Sequence, residues 1–224
     1  MMPLDFDSLR QTMVSEQIER RGICDTHLLT AFRSVPRHLF VPSEYQHWSY
    51  EDCPLPIGHG QTISQPYIVA LMTSLLHLQG GETVLEIGTG SGYQAAILGS
   101  LCQKVHTIER VATLSESAGR SIAALGLANI QLHVGDGSLG LQEFQPYQGI
   151  LVTAAAPQPP PPLLDQLADG GRLVIPLGGR SVQELVVWQR VGNQFKHENI
   201  LAVAFVPLRG KHGWSDSEWG SRSD

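Results

Sequence analysis

Short apolar strands alternate with helices from residue 83 onward, and this alternation restricts the fold more than any other feature of the chain. Residues 83–87 form an apolar strand, the next helix covers 93–101, and a second strand covers 105–108. The pattern continues with a helix at 112–125 and with strands at 130–134, 149–153 and 172–177. Repeated strand–helix units predict a doubly wound, mostly parallel α/β sheet with helices on both faces.

Two further strands bring the predicted sheet to seven strands. They cover 184–190 and 200–206 and are expected to pair antiparallel at one edge. Before them, a short helix at 161–167 is predicted to stop at Gly170-Gly171.

The N-terminal region has helical spacing instead. One helix at 9–22 ends at a glycine, and a second at 28–35 is stopped by Pro36. Ser64 is placed to cap a third helix that has Pro66 in its first turn.

We therefore divide the chain into three parts. Residues 1–80 are an N-terminal helical extension with a substrate-facing loop, packed on the core. Residues 81–210 are the α/β core that binds a cofactor, and residues 211–224 are a polar tail that we expect to be mobile.

Charge and hydropathy exclude several classes of function. The net charge is −6 and no basic stripe is present, so we expect no nucleic-acid partner. No apolar run approaches the roughly 20 residues of a spanning helix, and the N-terminus lacks the pattern of a signal peptide. We expect a cytoplasmic monomer without membrane contact.

Several catalytic patterns are missing from the sequence. The three cysteines form no CxxC pair and the nine histidines form no HxH or HExxH spacing, which predicts reduced thiols and no metal site. Neither a GxSxG elbow nor a phosphate loop of the GxxxxGK[ST] type is present.

A glycine turn follows the first core strand. Gly88, Gly90 and Gly92 have GxGxG spacing between a strand and a helix, where α/β proteins bind nucleotide-like ligands. The dinucleotide fingerprint is GxGxxG, and Tyr93 stands in place of its last glycine. The turn therefore favours a ligand without a pyrophosphate.

Three acidic residues are associated with the same edge of the predicted sheet. Glu109 ends the second core strand, 21 positions after Gly88, and is placed to bind both ribose hydroxyls of a nucleoside. Asp136 ends the third core strand and could bind an adenine amino group. Glu86 lies inside an apolar strand, where an unpaired charge is costly, so a ligand partner would explain it. S-adenosylmethionine, a nucleoside with a cationic sulfonium and no phosphate, fits these residues best.

The polar loop Gly60-Gln61-Thr62-Ile63-Ser64-Gln65-Pro66 is the most specific motif of the chain. With this loop and the glycine turn, the sequence resembles the protein-L-isoaspartate (D-aspartate) O-methyltransferases, which initiate repair of damaged aspartyl and asparaginyl residues. The resemblance covers about residues 10–210 and includes Val35-Pro36-Arg37, Gly135-Asp136-Gly137, Thr153-Ala154-Ala155 and Phe205-Val206-Pro207-Leu208. Ala204 departs from it, since bacterial relatives often carry arginine there.

The resemblance implies a Rossmann-like methyltransferase fold, S-adenosylmethionine as cofactor, and isoaspartyl proteins and peptides as substrates. Ser64 corresponds to the active-site serine. The implied substrate contacts are Ile63, Ser64, Gln65, Val206 and Pro207. The implied cofactor contacts are Gln61, Thr62, Ile63, Glu86, Gly88, Thr89, Gly90, Ser91, Gly92, Glu109, Asp136, Gly137 and Thr153.

The implied reaction needs no general base, because a carboxylate with an ordinary pKa of about 4 is already ionised at pH 7. Ser64 would orient that carboxylate through a hydrogen bond. Three alternatives stay open at this point: a methyltransferase acting on another carboxylate or another protein side chain, a nicotinamide-dependent dehydrogenase, and a non-catalytic module that binds S-adenosylmethionine.

Overall fold

The computed structural model describes residues 4–220 of the 224-residue chain. Our expectations for residues 1–3 and 221–224 therefore lie outside the described part.

Helices and a small hairpin form the N-terminal region. Asp5 caps the first helix by accepting a hydrogen bond from the Ser8 N–H (3.1 Å), and Gly22 ends this helical segment with a left-handed φ of 92°. The elements are α1 (Phe6–Met13), which continues as a π-helical turn (Val14–Ile18) and a 3-10 turn (Glu19–Arg21), α2 (Thr26–Ser34), two 3-10 segments (Arg37–Phe40 and Ser43–Trp48), the antiparallel strands β1 (Leu55–Gly58) and β2 (Gln61–Ile63), and α3 (Pro66–Ser74).

The rest of the chain forms one twisted α/β layer structure. Its elements are β3 (Thr83–Ile87), α4 (Tyr93–Gly99), β4 (Lys104–Glu109), α5 (Ala112–Ala124), β5 (Ile130–Val134), two 3-10 turns (Gly137–Leu139 and Gln142–Phe144), β6 (Tyr147–Val152), α6 (Pro161–Asp165), β7 (Leu167–Gly178), β8 (Gln183–Val191), β9 (Gln194–Ala202) and α7 (Asp216–Gly220).

The seven strands lie in the order β5-β4-β3-β6-β7-β8-β9. Strands β3 to β7 pair parallel, and β8 and β9 are added antiparallel at one edge. This confirms the predicted mostly parallel seven-stranded sheet. The strand order reverses between β3 and β6, which is where α/β sheets place their ligands.

Apolar side chains cover both faces of this sheet. One face buries Met72, Val84, Leu98 and Val105, and the opposite face buries a set that includes Leu85, Ile87, Ile150, Leu173 and Ile175. Within residues 4–220, no helix has both the length and the apolar character needed to cross a bilayer.

Tyr93 explains why the glycine turn departs from the dinucleotide pattern. Its side chain is fully buried and its ring packs edge-on against Phe32 (6.2 Å between centroids) and Phe40 (5.6 Å). The residue that replaces the last glycine thus joins the core to the N-terminal helices.

Two sequence-based boundaries in the second half of the core are wrong. The helix predicted at 161–167 ends at Asp165, and Gly170-Gly171 lie inside β7, where the register with β6 shifts. The strand predicted at 200–206 is instead β9 (Gln194–Ala202), because a two-residue turn at Gly192-Asn193 joins it directly to β8.

The capping role predicted for Ser64 is also wrong. Gln65 occupies the N-cap position of α3 with extended backbone, and it makes no side-chain capping bond. Pro66, the first helical residue, has no N–H to be capped.

Candidate active site

A cavity of about 700 Å³, the first cavity, opens at the carboxyl edge of the sheet. It lies at the reversal of strand order, since its lining includes Gly88 after β3, Glu109 at the end of β4, Gly137 after β5 and Thr153 after β6. Four successive parallel strands therefore deliver residues to one site.

The glycine turn is packed too closely to accept larger residues. Gly88 has a φ of 92°, and a Cβ on it would collide with Thr153 Oγ1, which donates a hydrogen bond to the Gly88 carbonyl (2.7 Å). Gly92 has a φ of 87°, and a Cβ there would lie 2.9 Å from the Ala118 side chain of α5. Both positions require glycine, for conformation and for space.

Glu109 ties the glycine turn to the end of β4. Its Oε2 accepts the Gly90 N–H (2.9 Å) and its Oε1 accepts the Val111 N–H (3.0 Å). The residue is 7% exposed and lines the first cavity. Each carboxylate oxygen retains a further acceptor site, so the group can still bind two ligand hydroxyls.

Glu86 is a buried acid with an unused oxygen. Thr107, its neighbour on β4, donates to Oε2, and Thr89 donates to Thr107 (2.6 Å). No described residue bonds to Oε1, although Glu86 is fully buried and lines the first cavity. Burial raises the pKa of Glu86 to about 8, the hydrogen bond from Thr107 opposes this rise, and the charge of Glu109 adds to it.

The carboxylate of Asp136, two residues after β5, accepts hydrogen bonds from three protein donors. Its carboxylate accepts bonds from the Ser138 N–H (2.9 Å), the Ser138 hydroxyl (2.7 Å) and the Lys211 N–H (2.8 Å). The next residue, Gly137, lines the first cavity, but Asp136 does not. The structure thus directs this carboxylate towards the C-terminal segment.

The C-terminal segment closes one side of the first cavity. The His212 N–H donates to Ser138 Oγ (3.0 Å), the Trp214 N–H donates to the Leu208 carbonyl (2.8 Å), and Trp219 lines the cavity. The mobility that we expected for the polar tail from residue 211 onward stays a prediction.

A hairpin forms another part of the cavity wall. Strands β1 and β2 are joined by His59 and Gly60, both with positive φ (52° and 69°), which suits a tight hairpin turn. His59 Nε2 bonds to the Thr113 hydroxyl of α5 (3.0 Å), so the turn is attached to the core. Residues 61–64 then line the first cavity.

A buried arginine holds the backbone at Ser64. Arg37 is fully buried and donates from Nε to the Ser49 carbonyl (2.7 Å) and from Nη2 to the Ser64 carbonyl (2.8 Å). Burial lowers the pKa of Arg37 to about 10, and the electrostatic interaction with Tyr93 partly offsets this lowering. The guanidinium is therefore charged at neutral pH. The Ser64 hydroxyl makes no hydrogen bond to any described residue and can serve a ligand.

A second cavity, of about 520 Å³, adjoins the first. The two share Thr62, Ser64, Thr153 and Val206 in their linings. Gln65 lines only the second cavity, as do Arg21 from the N-terminal helices and residues 201–205. Ser64 therefore stands where the two cavities meet.

The structure gathers most of the predicted site residues around the first cavity. Its lining contains Gln61, Thr62, Ile63, Ser64, Glu86, Gly88, Thr89, Gly90, Ser91, Glu109, Gly137, Thr153, Val206 and Pro207. Of the other predicted residues, Gln65 lines the second cavity, whereas Gly92 and Asp136 line neither. Sequence reasoning missed several lining residues, among them Gln94, Val111, Trp219 and the two cations Arg110 and Arg209. Across residues 4–220, no cluster of His, Cys, Asp and Glu could hold a metal ion.

Comparison with known proteins decides the family. The family model for protein-L-isoaspartate (D-aspartate) O-methyltransferases matches residues 8–213. The chain belongs to this family. A protein-L-isoaspartate O-methyltransferase from Methanoregula boonei is 55% identical over 207 residues, covering 92% of this chain and 95% of its own. One from Dictyoglomus thermophilum is 51% identical over 212 residues, covering 95% and 96%.

Solved structures of the isoaspartate methyltransferase family have the same fold. One protein-L-isoaspartate O-methyltransferase superimposes with a TM-score of 0.83 at 29% identity, over 91% of this chain and 67% of that one. A family structure from Plasmodium falciparum, in complex with S-adenosyl-L-homocysteine, gives a TM-score of 0.78 at 26% identity, over 89% and 98%. The family resemblance of the sequence is thus confirmed.

Proposed function

We propose that this protein transfers a methyl group from S-adenosylmethionine to the free carboxylate of L-isoaspartyl and D-aspartyl residues in damaged proteins and peptides, which initiates their repair. The observation that carries the proposal is the position of Ser64, whose unbonded hydroxyl lies between the two cavities. Membership of the isoaspartate methyltransferase family supports this substrate.

The residues of the first cavity fit S-adenosylmethionine. Glu86 Oε1 is a buried acceptor without a partner among the described residues, and a cationic ligand would supply one. Glu109 would accept the ribose hydroxyls, and the turn at 88–92 would approach the ligand through its backbone. Bound S-adenosylmethionine supplies a methyl group that its sulfonium makes electrophilic. The adenine contact of Asp136 stays a prediction, and Gly137 is the residue of that pair in the lining.

The chain's own residues hold the substrate rather than activate it. The carboxylate is ionised at pH 7, so no protein base has to remove a proton. The Ser64 hydroxyl would donate a hydrogen bond to one carboxylate oxygen and orient the other. Arg37 acts through the Ser64 carbonyl and is a positioning residue. Ile63, Gln65, Val206 and Pro207 would exclude water around the substrate.

We propose that residues 1–80 act as a substrate-facing unit packed on the core at 81–210. We also propose a cytoplasmic monomer that acts on polypeptides, without nucleic-acid or membrane partners, in keeping with the net charge of −6.

Matched peptides test the function. Two peptides that differ only in isoaspartate or aspartate at one position are incubated with labelled S-adenosylmethionine. We expect methylation of the isoaspartyl peptide and almost none of its aspartyl twin. Equal labelling of both would favour a general carboxylate methyltransferase, and cofactor binding without labelling of either would favour a non-catalytic module.

A further inference from the structure

The second cavity contains a single charged side chain. Among the described residues that line it, Arg21 is the one ion, and no carboxylate is present in the lining. The others are neutral: Pro54, Thr62, Ser64, Gln65, Tyr67, Ile68, Thr153, Leu201, Ala202, Val203, Ala204, Phe205 and Val206. The lining therefore offers one cation and no carboxylate to a charged group that enters this cavity.

Arg21 is held in place by two contacts. Its guanidinium carbon lies 3.3 Å from the centroid of the Tyr67 ring, and its Nη1 donates to Asp52 Oδ2 (2.8 Å). Asp52 Oδ1 also accepts the Tyr67 N–H (3.2 Å), so the three residues fix one another. A cation that is already oriented loses little conformational freedom when it binds a ligand.

The hydrogen-bonding capacity of Arg21 is largely unused. A guanidinium has five N–H donors, and the bond to Asp52 uses one. Within residues 4–220, no acceptor is bonded to Nε or Nη2, and the side chain of Arg21 is 43% exposed. The remaining donors can therefore bind an additional anionic group, for which a carboxylate has the matching geometry.

We propose that Arg21 recognises an acidic side chain next to the isoaspartyl residue, and so sets the sequence preference of the enzyme. This inference rests on the proposed function, since it places the isoaspartyl carboxylate at Ser64 and its flanking residue in the second cavity. Exposed charge pairs change binding only modestly, and Asp52 already neutralises part of the charge. We expect acidic flanks to raise kcat/KM about two- to fivefold through KM.

Three isoaspartyl peptides test the preference, differing only in Glu, Gln or Lys beside the isoaspartate, with the variable residue placed on either side in turn. The wild-type protein should methylate them in the order Glu, Gln, Lys, and 0.5 M salt should reduce the differences because it screens exposed charges. In Arg21→Gln the ratio of Glu to Gln peptide should fall to about one. Arg20→Gln is the matched control, since Arg20 is exposed, pairs with Glu16 and lines neither cavity.

A second variant with the charge reversed keeps the proposal testable if Arg21→Gln folds poorly. Arg21→Glu should invert the order and favour the Lys peptide, and a thermal melt shows whether either variant is folded. Equal kcat/KM for the three peptides with the wild-type protein would overturn the role of Arg21, while the proposed function stands. Failure to methylate any of the peptides would overturn both.

Discussion

The first and second cavities meet at Ser64 but are lined by different parts of the fold. The first is formed by the ends of parallel core strands and contains two buried acids, Glu86 and Glu109. The second lies among the N-terminal helices, the loop before α3 and the segment after β9, and its one ion is a half-exposed arginine. The first cavity thus combines these two acids with the cations Arg110 and Arg209, whereas the second is peripheral and has a single cation.

This difference matches the two kinds of ligand that the proposed function requires. A cofactor is the same molecule in every turnover, so buried and oriented groups can be fitted to it. A damaged polypeptide varies in sequence, so its cavity can offer only weak and tolerant contacts. Substitutions should accordingly have large effects in the first cavity and small ones in the second.

Substitution of Glu109 should give the largest effect. Hydrogen bonds to charged groups contribute about 1.5–3 kcal/mol, so Glu109→Ala should weaken S-adenosylmethionine binding about ten- to a hundredfold by calorimetry. The exposed acid Glu116 on α5 provides the control, since Glu116→Ala removes the same charge outside the cavity. An unchanged dissociation constant would mean that Glu109 serves only to hold the Gly90 and Val111 N–H groups.

Substitution of Ser64 should affect turnover and leave stability alone. Losing one oriented donor typically costs about 10²–10³ in rate when it stabilises transition-state charge. The reaction consumes charge instead, so we expect Ser64→Ala to lower kcat about tenfold, with cofactor affinity little changed. Because Gln65 is the N-cap residue of α3, the melting temperature should not fall.

The Ser34→Ala variant controls for the loss of a hydroxyl, since Ser34 bonds only to the Thr30 carbonyl on exposed α2 surface. A Ser64→Ala protein with wild-type kcat would show that the hydroxyl at the meeting point of the two cavities takes no part in methyl transfer.

The buried acid Glu86 should make cofactor binding depend on pH. Its pKa of about 8 leaves it mostly protonated at pH 7, whereas a cationic ligand favours the ionised form. Affinity should therefore rise about fivefold between pH 7 and 8, as the ionised fraction grows. The Glu86→Gln side chain cannot ionise, so the affinity of this variant should not show the fivefold rise. Any pH dependence that remains in the variant reports the titration of the ligand itself. Identical pH profiles for the two proteins would contradict the prediction.

The same acid should affect the stability of the ligand-free protein in the opposite direction. The folded state retains a proton that the unfolded state releases between about pH 4.5 and 8, so the free energy of unfolding decreases as pH rises through this window. Thermal melts of wild type and Glu86→Gln at pH 6 and pH 8 measure this. The wild type should lose more stability than the variant, and an equal loss would place the pKa of Glu86 near its ordinary value.

Much of the first cavity could be predicted from the sequence because local pattern determines it. The strand at 83–87 has the predicted bounds, and Glu109 ends β4 as expected. Parallel strands bring their carboxyl ends to one edge, so residues far apart in the chain converge without any long-range information. The Gly192-Asn193 turn also has a local sequence signal, because Gly-Asn is a dipeptide typical of two-residue hairpin turns. The prediction of a strand at 200–206 did not take this signal into account.

The second cavity and the closing segment could not be predicted in this way. Arg21 and Arg37 look alike in sequence, but one is half-exposed on Tyr67 and the other is fully buried beneath Ser64. Their positions depend on how the N-terminal helices pack on the core. In the sequence, Asp136 likewise has no visible partner at the end of its strand. The Lys211 N–H that it binds is 75 residues away along the chain.

The bond between Asp136 and Lys211 also has a consequence for how the protein is made. Polypeptides are synthesised from the N-terminus at about 5–20 residues per second, so roughly 4–15 s separate these two residues on the ribosome. During that interval the glycine turn and Glu109 already exist, but Trp219 and the rest of the closing wall do not. Because Thr153, Val206 and Trp219 all belong to its lining, the first cavity becomes complete only when synthesis is almost finished.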